Sequence, residues 1–129
     1  MKKTIFMENY PVHTLEISKN ETNLKTIDEV LTYYKEKIDA HEIATYISVF
    51  DHYTHTKSLN GEINPDIKNA KNIIFCFGAA LPNTTILAIR PRSIGVAELE
   101  NSFVVEFMEA PNEKLHNVMK NWTESIVTK

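Results

Sequence analysis

Two segments of the chain carry apolar residues at helical spacing and predict two long helices. In the first, Thr26 and Glu29 stand at the spacing of a capping box, in which each side chain satisfies a free amide of the first helical turn. The apolar residues that follow recur every three or four positions: Ile27, Val30, Leu31, Tyr34 and Ile38. The second helix is predicted to begin at Pro111 or Asn112, and its apolar stripe is Leu115, Val118, Met119, Trp122 and Ile126. Each helix therefore presents one apolar face to a core.

Shorter segments with alternating or continuous apolar residues predict strands, namely residues 12–17, 43–50, 73–77, 94–98 and 103–108. The first of these alternates and has His13, Leu15 and Ile17 on one face. The second and third are largely apolar on both faces, which predicts that they lie inside a sheet. The last two are separated by a turn around Glu100 and Asn101, and this spacing predicts a hairpin.

Two further patterns lie between these strands. The run Asn64-Pro65-Asp66 has the order of an N-cap, a proline in the first helical position and an acid in the first turn, which predicts a short helix ending near residue 70. Residues 86–89 could form a strand or a helix, and a strand is favoured. Together the elements predict one α+β domain over residues 1–129. It has two layers, with a largely antiparallel sheet of four to six strands and two long helices packed on one of its faces.

The composition narrows the classes of partner. Hydrophobic residues make up 43% and charged residues 24% of the chain, as is usual for globular proteins. The net charge of −3 and the sequence pI of about 5.9 provide no basic surface for nucleic acid, which is therefore not expected as a partner. The apolar runs are too short to span a membrane, and the single Cys76 can form no internal disulfide. We therefore expect a soluble, cytoplasmic protein without a membrane partner.

The first candidate site is a run that contains two histidines. Asp51, His52 and His55 follow directly after a predicted strand, where a rigid scaffold passes into a loop. Histidine and aspartate are common ligands of zinc and similar metals, and a loop can bring residues three positions apart to one ion. The run lacks the distant second half of a zinc motif. The alternative is a polar loop whose histidines are solvated or bonded to the backbone.

The second candidate site is the segment Arg90-Pro91-Arg92-Ser93, which contains the only two arginines of the chain. The planar guanidinium group suits carboxylate or phosphate in a way that lysine does not reproduce. In an extended segment Arg90 and Arg92 project to the same side. The alternative is a pair of structural ion pairs with Glu98, Glu100 or Glu106. Arginine serves both purposes, so the pattern alone leaves both open.

The remaining reactive side chains are predicted to be structural. Cys76 lies in an apolar strand, where a thiol is normally inert, so it is interpreted as core packing. His13, His41 and His116 have no companions at the spacing of metal ligands. His116 flanks the apolar stripe of the last helix and is expected at its border. No phosphate-binding glycine loop and no nucleophilic serine motif are present.

Four segments resemble those of a family of short uncharacterised bacterial proteins, with a likeness over nearly the whole chain: Phe50-Asp51-His52-Tyr53 and residues 72–78, 90–96 and 109–112. More distantly, the second half is similar to the domain of unknown function 302 family in the order of its elements. The second resemblance implies a compact α+β fold, commonly a dimer, with no assigned activity. Arginine and serine surround Pro91 where that family often has a Leu-Pro-Cys run, so its cysteine site is not carried over.

Three functions follow from these observations, and whether the protein is an enzyme stays open. The preferred hypothesis is a binding module, able to form a homodimer, that holds a small anionic or polar ligand with Arg90 and Arg92, with Asp51, His52 and His55 nearby. The first alternative is a structural or protein-interaction domain without a small-molecule site. The second is a metal-dependent, hydrolase-like enzyme with Asp51, His52 and His55 as metal ligands. The binding-module hypothesis and the metal-enzyme hypothesis both require that these five residues converge on one pocket.

Overall fold

The computed structural model describes residues 1–129, and its centre is one antiparallel sheet of six strands. In chain order the strands are β1 (Lys2–Phe6), β2 (Tyr10–Ser18), β3 (Ala44–Asp51), β4 (Asn69–Phe77), β5 (Arg92–Glu98) and β6 (Ser102–Met108). Their order in space is β1-β2-β6-β5-β4-β3. The helices are α1 (Ile27–Ala40), α2 (His52–Ser58), α3 (Ile86–Ile89) and α4 (Glu113–Glu124). The predicted α+β class with a largely antiparallel sheet is confirmed.

Helices α1 and α4 begin where their capping residues predict. The Thr26 side chain accepts a hydrogen bond from the Glu29 amide at 3.1 Å, and the Asn112 side chain accepts one from the Leu115 amide at 3.1 Å. All five residues of the predicted α1 stripe are buried. The capping box is only half formed, because the Glu29 carboxylate accepts from the Lys25 amide rather than from the amide of Thr26.

One hydrophobic core of 18 buried residues joins the sheet to both long helices. Strands β4 and β6 contribute alternate residues, as the pleat of a sheet requires, and these include Phe75 and Phe103. The two helices also contact each other directly. The hydroxyls of Tyr34 and Thr123 lie 2.6 Å apart in the buried interface, and the Tyr33 hydroxyl donates to the carbonyl of Trp122. None of the helices is long and apolar enough to cross a membrane.

The position of β3 corrects one prediction, because this strand lies at the edge of the sheet and not inside it. Its pairing with β4 shifts between Tyr46 and Ser48, so one extra residue is inserted there. The shift leaves Ile47 with 50% of its surface exposed, and Val49 and Phe50 are exposed as well. An apolar run does not distinguish an edge strand from a central one, because the sheet topology determines whether a strand has one neighbouring strand or two.

One strand was missed, and two local predictions are corrected. Strand β1 was not predicted, and it pairs antiparallel with β2. The predicted helix at Asn64 is only a turn, closed by a hydrogen bond from the Ile67 amide to the Asn64 carbonyl at 3.0 Å. The chain then enters β4, because strand pairing with β5 outweighs the local capping signal for a helix. Residues 86–89 form the short helix α3 rather than a strand, since the Asn83 side chain accepts from the Ile86 amide and starts a helical turn.

Candidate functional site

The histidine run lies on a helix, which corrects the expectation of a loop. Asp51 is the N-cap of α2, and its side chain accepts the Thr54 amide at 3.0 Å. That hydrogen bond lowers the pKa of Asp51. The rings of His52 and His55 are exposed, lie 6.1 Å apart between centroids, and both contact the ring of Phe50. One oxygen of the candidate metal-binding carboxylate, Oδ1 of Asp51, is therefore engaged in capping.

The two arginines line one cavity of about 340 Å³, which we call the arginine cavity. It lies between the end of α3, the start of β5 and the start of α4. Apolar side chains supply five of the nine lining residues. The full lining is Phe77, Ile86, Ile89, Arg90, Arg92, Ala110, Pro111, Asn112 and Leu115. A second cavity of about 310 Å³ shares Arg90, Asn112 and Leu115 with it, so the two adjoin.

Neither arginine forms an ion pair with a carboxylate within 4.0 Å. The acid that was the nearest expected partner, Glu98, pairs with Lys19 at 2.7 Å instead. Arg90 donates to the carbonyl of Ala80 at 2.8 Å, and Arg92 donates to the carbonyl of Met108. The alternative of structural ion pairs is therefore wrong for both arginines.

Arg92 carries a donor that nothing in the protein satisfies. Its Nε atom is buried and has no hydrogen-bond partner, the only buried side-chain nitrogen or oxygen of which this is true. Burial also lowers the pKa of Arg92. A buried N–H without an acceptor costs about 1–3 kcal/mol, so such groups in folded proteins call for an explanation.

Gly78 provides the space in which the guanidinium of Arg90 lies. Its φ of +99° is a backbone conformation that other residues rarely adopt. A Cβ atom added at this position would collide with Nη2 of Arg90 and lie 3.0 Å from its Cζ. Because Gly78 has no side chain, the Arg90 guanidinium can pack against the backbone at the end of β4.

The structure does not bring the two predicted groups together. Arg90 and Arg92 line the arginine cavity, whereas His52 lines two other cavities near the opposite end of β4. The register explains the separation, because Asp51 pairs with Lys71 while Arg92 pairs with Phe75, four residues further along the same strand. Four residues span about 13 Å along a strand. The expectation that all five residues share one pocket is not met.

Three residues that the sequence did not single out as a group do converge: His13 from β2, Glu109 just after β6, and His116 in α4. One potential ligand atom from each lies within 4.8 Å of the other two. His13 Nε2 is 3.0 Å from Glu109 Oε1, and Lys3 Nζ lies 3.0 Å from the same oxygen. The rings of His13 and His116 are 4.3 Å apart between centroids. We call these three residues the histidine–glutamate cluster.

The charge states in this cluster follow from its surroundings. Hydrogen bonds from Lys3 and His13 lower the pKa of Glu109, so the group is a carboxylate. Burial, followed by the nearby His13, lowers the pKa of His116 and favours its neutral form. Nδ1 of His116 lies 3.3 Å from the amide of Ala110 and accepts its hydrogen bond. A neutral imidazole next to a carboxylate can bind a cation or exchange a proton.

One sequence signal pointed toward this cluster. The strand pattern has His13 on the same face as Leu15 and Ile17, and His116 borders the apolar stripe of α4. Two histidines on core-facing positions of different elements require partners, since buried polar groups are normally hydrogen-bonded. The spacing could not reveal the partner, because Glu109 lies 96 residues from His13.

Comparison with known proteins supplies a family but no activity. A family model matches residues 1–128, and its description is a family of unknown function, DUF6858. No curated protein and no solved structure matches the chain. The expectation of an uncharacterised family is confirmed, whereas the distant likeness to the domain of unknown function 302 family stays a prediction. Because the match covers all residues but one, the chain belongs to the family of unknown function DUF6858.

Proposed function

We propose that the protein is a binding module for a small organic anion, which it holds in the arginine cavity. The observation that carries the proposal is the buried Nε of Arg92, a donor without an acceptor beside a cavity. A carboxylate placed there would accept this N–H and offset its desolvation. Arg90 lines the same cavity without a carboxylate partner of its own. Two guanidinium groups thus offer their remaining donors to one ligand.

The lining favours a carboxylate with a short apolar body. Small-molecule sites occupy about 300–1,000 Å³ and combine apolar walls with a few polar groups that orient the ligand. The arginine cavity, at about 340 Å³, lies at the lower end of this range. Ile86, Ile89 and Leu115 provide apolar surface that inorganic phosphate would not use. We therefore expect a short-chain or aromatic monocarboxylate to bind more tightly than phosphate.

The test is a titration of ¹⁵N-labelled protein with hexanoate, benzoate and phosphate, in parallel with calorimetry. We expect hexanoate or benzoate to shift the Nε–H signal of Arg92 and to saturate at one equivalent. Arg92→Lys should weaken binding by at least about tenfold, because a single ammonium cannot reproduce the guanidinium fork. Lys57→Gln, which removes one exposed charge on α2, is the matched control and should leave the affinity unchanged.

Two results would count against the proposal. One is the absence of saturable binding by any of the three anions. The other is a loss of folding stability in the double variant Arg90→Lys and Arg92→Lys well beyond the roughly 1 kcal/mol expected for each hydrogen bond to the carbonyls of Ala80 and Met108. A structural role predicts that stability falls, whereas a ligand role predicts that only binding falls.

A second candidate function is homodimerisation through the hairpin of β1 and β2. The apolar residues at this edge are unusually exposed, with Phe6 at 59% and Met7 at 68%, and Ile5 and Tyr10 are exposed as well. Strand β1 is an edge strand whose outer backbone groups are free to pair with a second copy across a two-fold axis. Sedimentation of the wild type and of Phe6→Glu tests this, since only the wild type should dimerise. A monomeric wild type at high micromolar concentration would exclude it.

We also infer that α1 and α4 cover the same face of the sheet, as the two-layer prediction requires. Both helices contribute to the single core cluster, and Tyr34 and Thr123 join them to each other. This arrangement keeps α2 and the exposed histidines His52 and His55 outside the core. The metal-dependent hydrolase at Asp51, His52 and His55 stays a prediction, and one oxygen of its carboxylate is engaged in helix capping.

A further inference from the structure

We propose that the histidine–glutamate cluster is a binding site for a divalent transition-metal cation, separate from the arginine cavity. Its ligands are His13, Glu109 and His116, whose ligand atoms lie within 4.8 Å of one another. His13 Nε2 and Glu109 Oε1 are already 3.0 Å apart, close to the roughly 3.4 Å that separates two ligands of one tetrahedral zinc ion. Only a small approach of His116 is needed to complete the set.

Rigid elements hold each ligand in position. His13 is paired within the sheet between Lys3 and Phe107, and its ring stacks on that of Phe107 with centroids 6.0 Å apart. Glu109 is fixed by its own amide, which donates to the carbonyl of Pro11 at 3.0 Å. His116 lies in the first turns of α4 and is nearly buried. His13 and His116 thus lie on a strand and a helix, which hold ligands more accurately than loops do, and Glu109 directly follows a strand.

The ligand types determine the class of cation. Two imidazole nitrogens and one carboxylate suit zinc, iron(II) and similar first-row metals, whereas calcium and magnesium prefer oxygen ligands alone. Three protein ligands leave at least one coordination position for water or another molecule, as in catalytic rather than structural sites. The side chain of Glu109 keeps 36% of its surface exposed, so a cation can enter from that side.

Two hydrogen-bond donors occupy the Glu109 carboxylate when no cation is bound. Lys3 Nζ and His13 Nε2 both lie 3.0 Å from Glu109 Oε1. Lys3 is half exposed on an edge strand and can swing into solvent without disturbing the core. Nδ1 of His116 accepts a hydrogen bond of 3.3 Å from the Ala110 amide, so it carries a lone pair that a cation could take up once that amide is released. A cation would replace these contacts and take the place of the hydrogen bond between Nε2 of His13 and Glu109.

The experiment is calorimetric titration of tag-free protein with zinc, supported by cobalt(II) absorption to identify tetrahedral coordination. We expect one equivalent of zinc to bind and to raise the unfolding temperature. Glu109→Gln keeps the shape of the side chain but removes its charge, and it should weaken zinc binding by more than about 100-fold. Lys3→Met removes a competing cation and should tighten binding by roughly fivefold.

His52 and His55 supply the matched control, because they form another pair of neighbouring histidines on the same chain. The double variant His52→Gln and His55→Gln should bind zinc as the wild type does. The proposal is overturned if zinc fails to bind at one equivalent, if Glu109→Gln binds it equally well, or if the His52 and His55 variant loses it. Since Glu109 and Lys3 are partly exposed, their variants stay folded and give an answer even where a buried His13 variant does not.

Discussion

Replacing Gly78 by alanine should disrupt the arginine cavity by displacing Arg90, although Gly78 itself does not line that cavity. Gly78 follows the last residue of β4 and has a φ of +99°. The added methyl group would occupy the space of the Arg90 guanidinium, whose Cζ would lie 3.0 Å from it. Because the guanidinium is the end of a flexible side chain, it is expected to move away and to release the carbonyl of Ala80.

Two costs contribute to the loss of stability. Holding an alanine in a left-handed conformation costs about 1–2 kcal/mol. Loss of the hydrogen bond from Arg90 to Ala80 adds about 1 kcal/mol, because this contact is exposed to solvent. The free energy of unfolding should therefore fall by about 2–3 kcal/mol. The affinity for hexanoate should fall by about tenfold, since one of the two guanidinium groups leaves the cavity.

Urea denaturation of Gly78→Ala in the wild type and in an Arg90→Ala background separates these costs. In the second background the guanidinium is already absent, so only the backbone cost of about 1–2 kcal/mol should remain. Gly95→Ala is the matched control, because its added methyl would make only ordinary contact, 3.4 Å from the Asn72 side chain, and should be close to neutral. Equal losses in both backgrounds would refute the idea that Gly78 seats Arg90.

Three further predictions concern single side chains. Tyr34→Phe removes the hydroxyl that lies 2.6 Å from that of Thr123 in the core, and it should lower the free energy of unfolding by about 1 kcal/mol in urea denaturation. Asp51→Ala removes the N-cap of α2 and should cost about 0.5–2 kcal/mol at neutral pH, whereas Asp51→Asn should cost little. Because the folded-state pKa of Asp51 is lowered, its contribution is present above the unfolded pKa and is lost as the pH falls through the folded pKa, so an acid titration of stability should be shallower in Asp51→Asn. Arg92→Met removes a buried donor that lacks an acceptor together with the hydrogen bond to the Met108 carbonyl; because these effects oppose each other, thermal unfolding should show a change of less than about 1 kcal/mol.

The elements that the sequence predicts best are those that local interactions determine. Helix α1 begins after Thr26 and buries the predicted stripe, because capping and a helical period are written within one short segment. The hairpin of β5 and β6 is similarly local. The edge position of β3 and the existence of β1 depend on which strands pair across the whole chain. The apolar content of either segment does not contain that information.

The candidate sites also differ in whether the local sequence or the whole fold determines them. Arg90 and Arg92 were predicted as a pair because they are the only arginines and are two residues apart. Their cavity required the structure, since Phe77 and Leu115 come from distant segments. The histidine–glutamate cluster was missed because its members are joined only through the pairing of β2 with β6 and the packing of α4. His52 and His55 were favoured as a site because they are close in sequence. In the structure both lie on α2 with their rings exposed.

The segment from Glu109 to Asn112 connects the two proposed sites, and this connection makes a last prediction. Glu109 belongs to the metal cluster, Ala110 lines the arginine cavity, and the amide of Ala110 donates to Nδ1 of His116. A cation bound at Nδ1 would release that amide and allow Ala110 to move, so zinc should change the affinity for hexanoate. Linkage then requires hexanoate to change the affinity for zinc by the same factor. Calorimetry of each ligand with and without the other measures both factors. Unequal factors would show that one ligand also binds elsewhere, whereas unchanged affinities would show that the segment does not couple the sites.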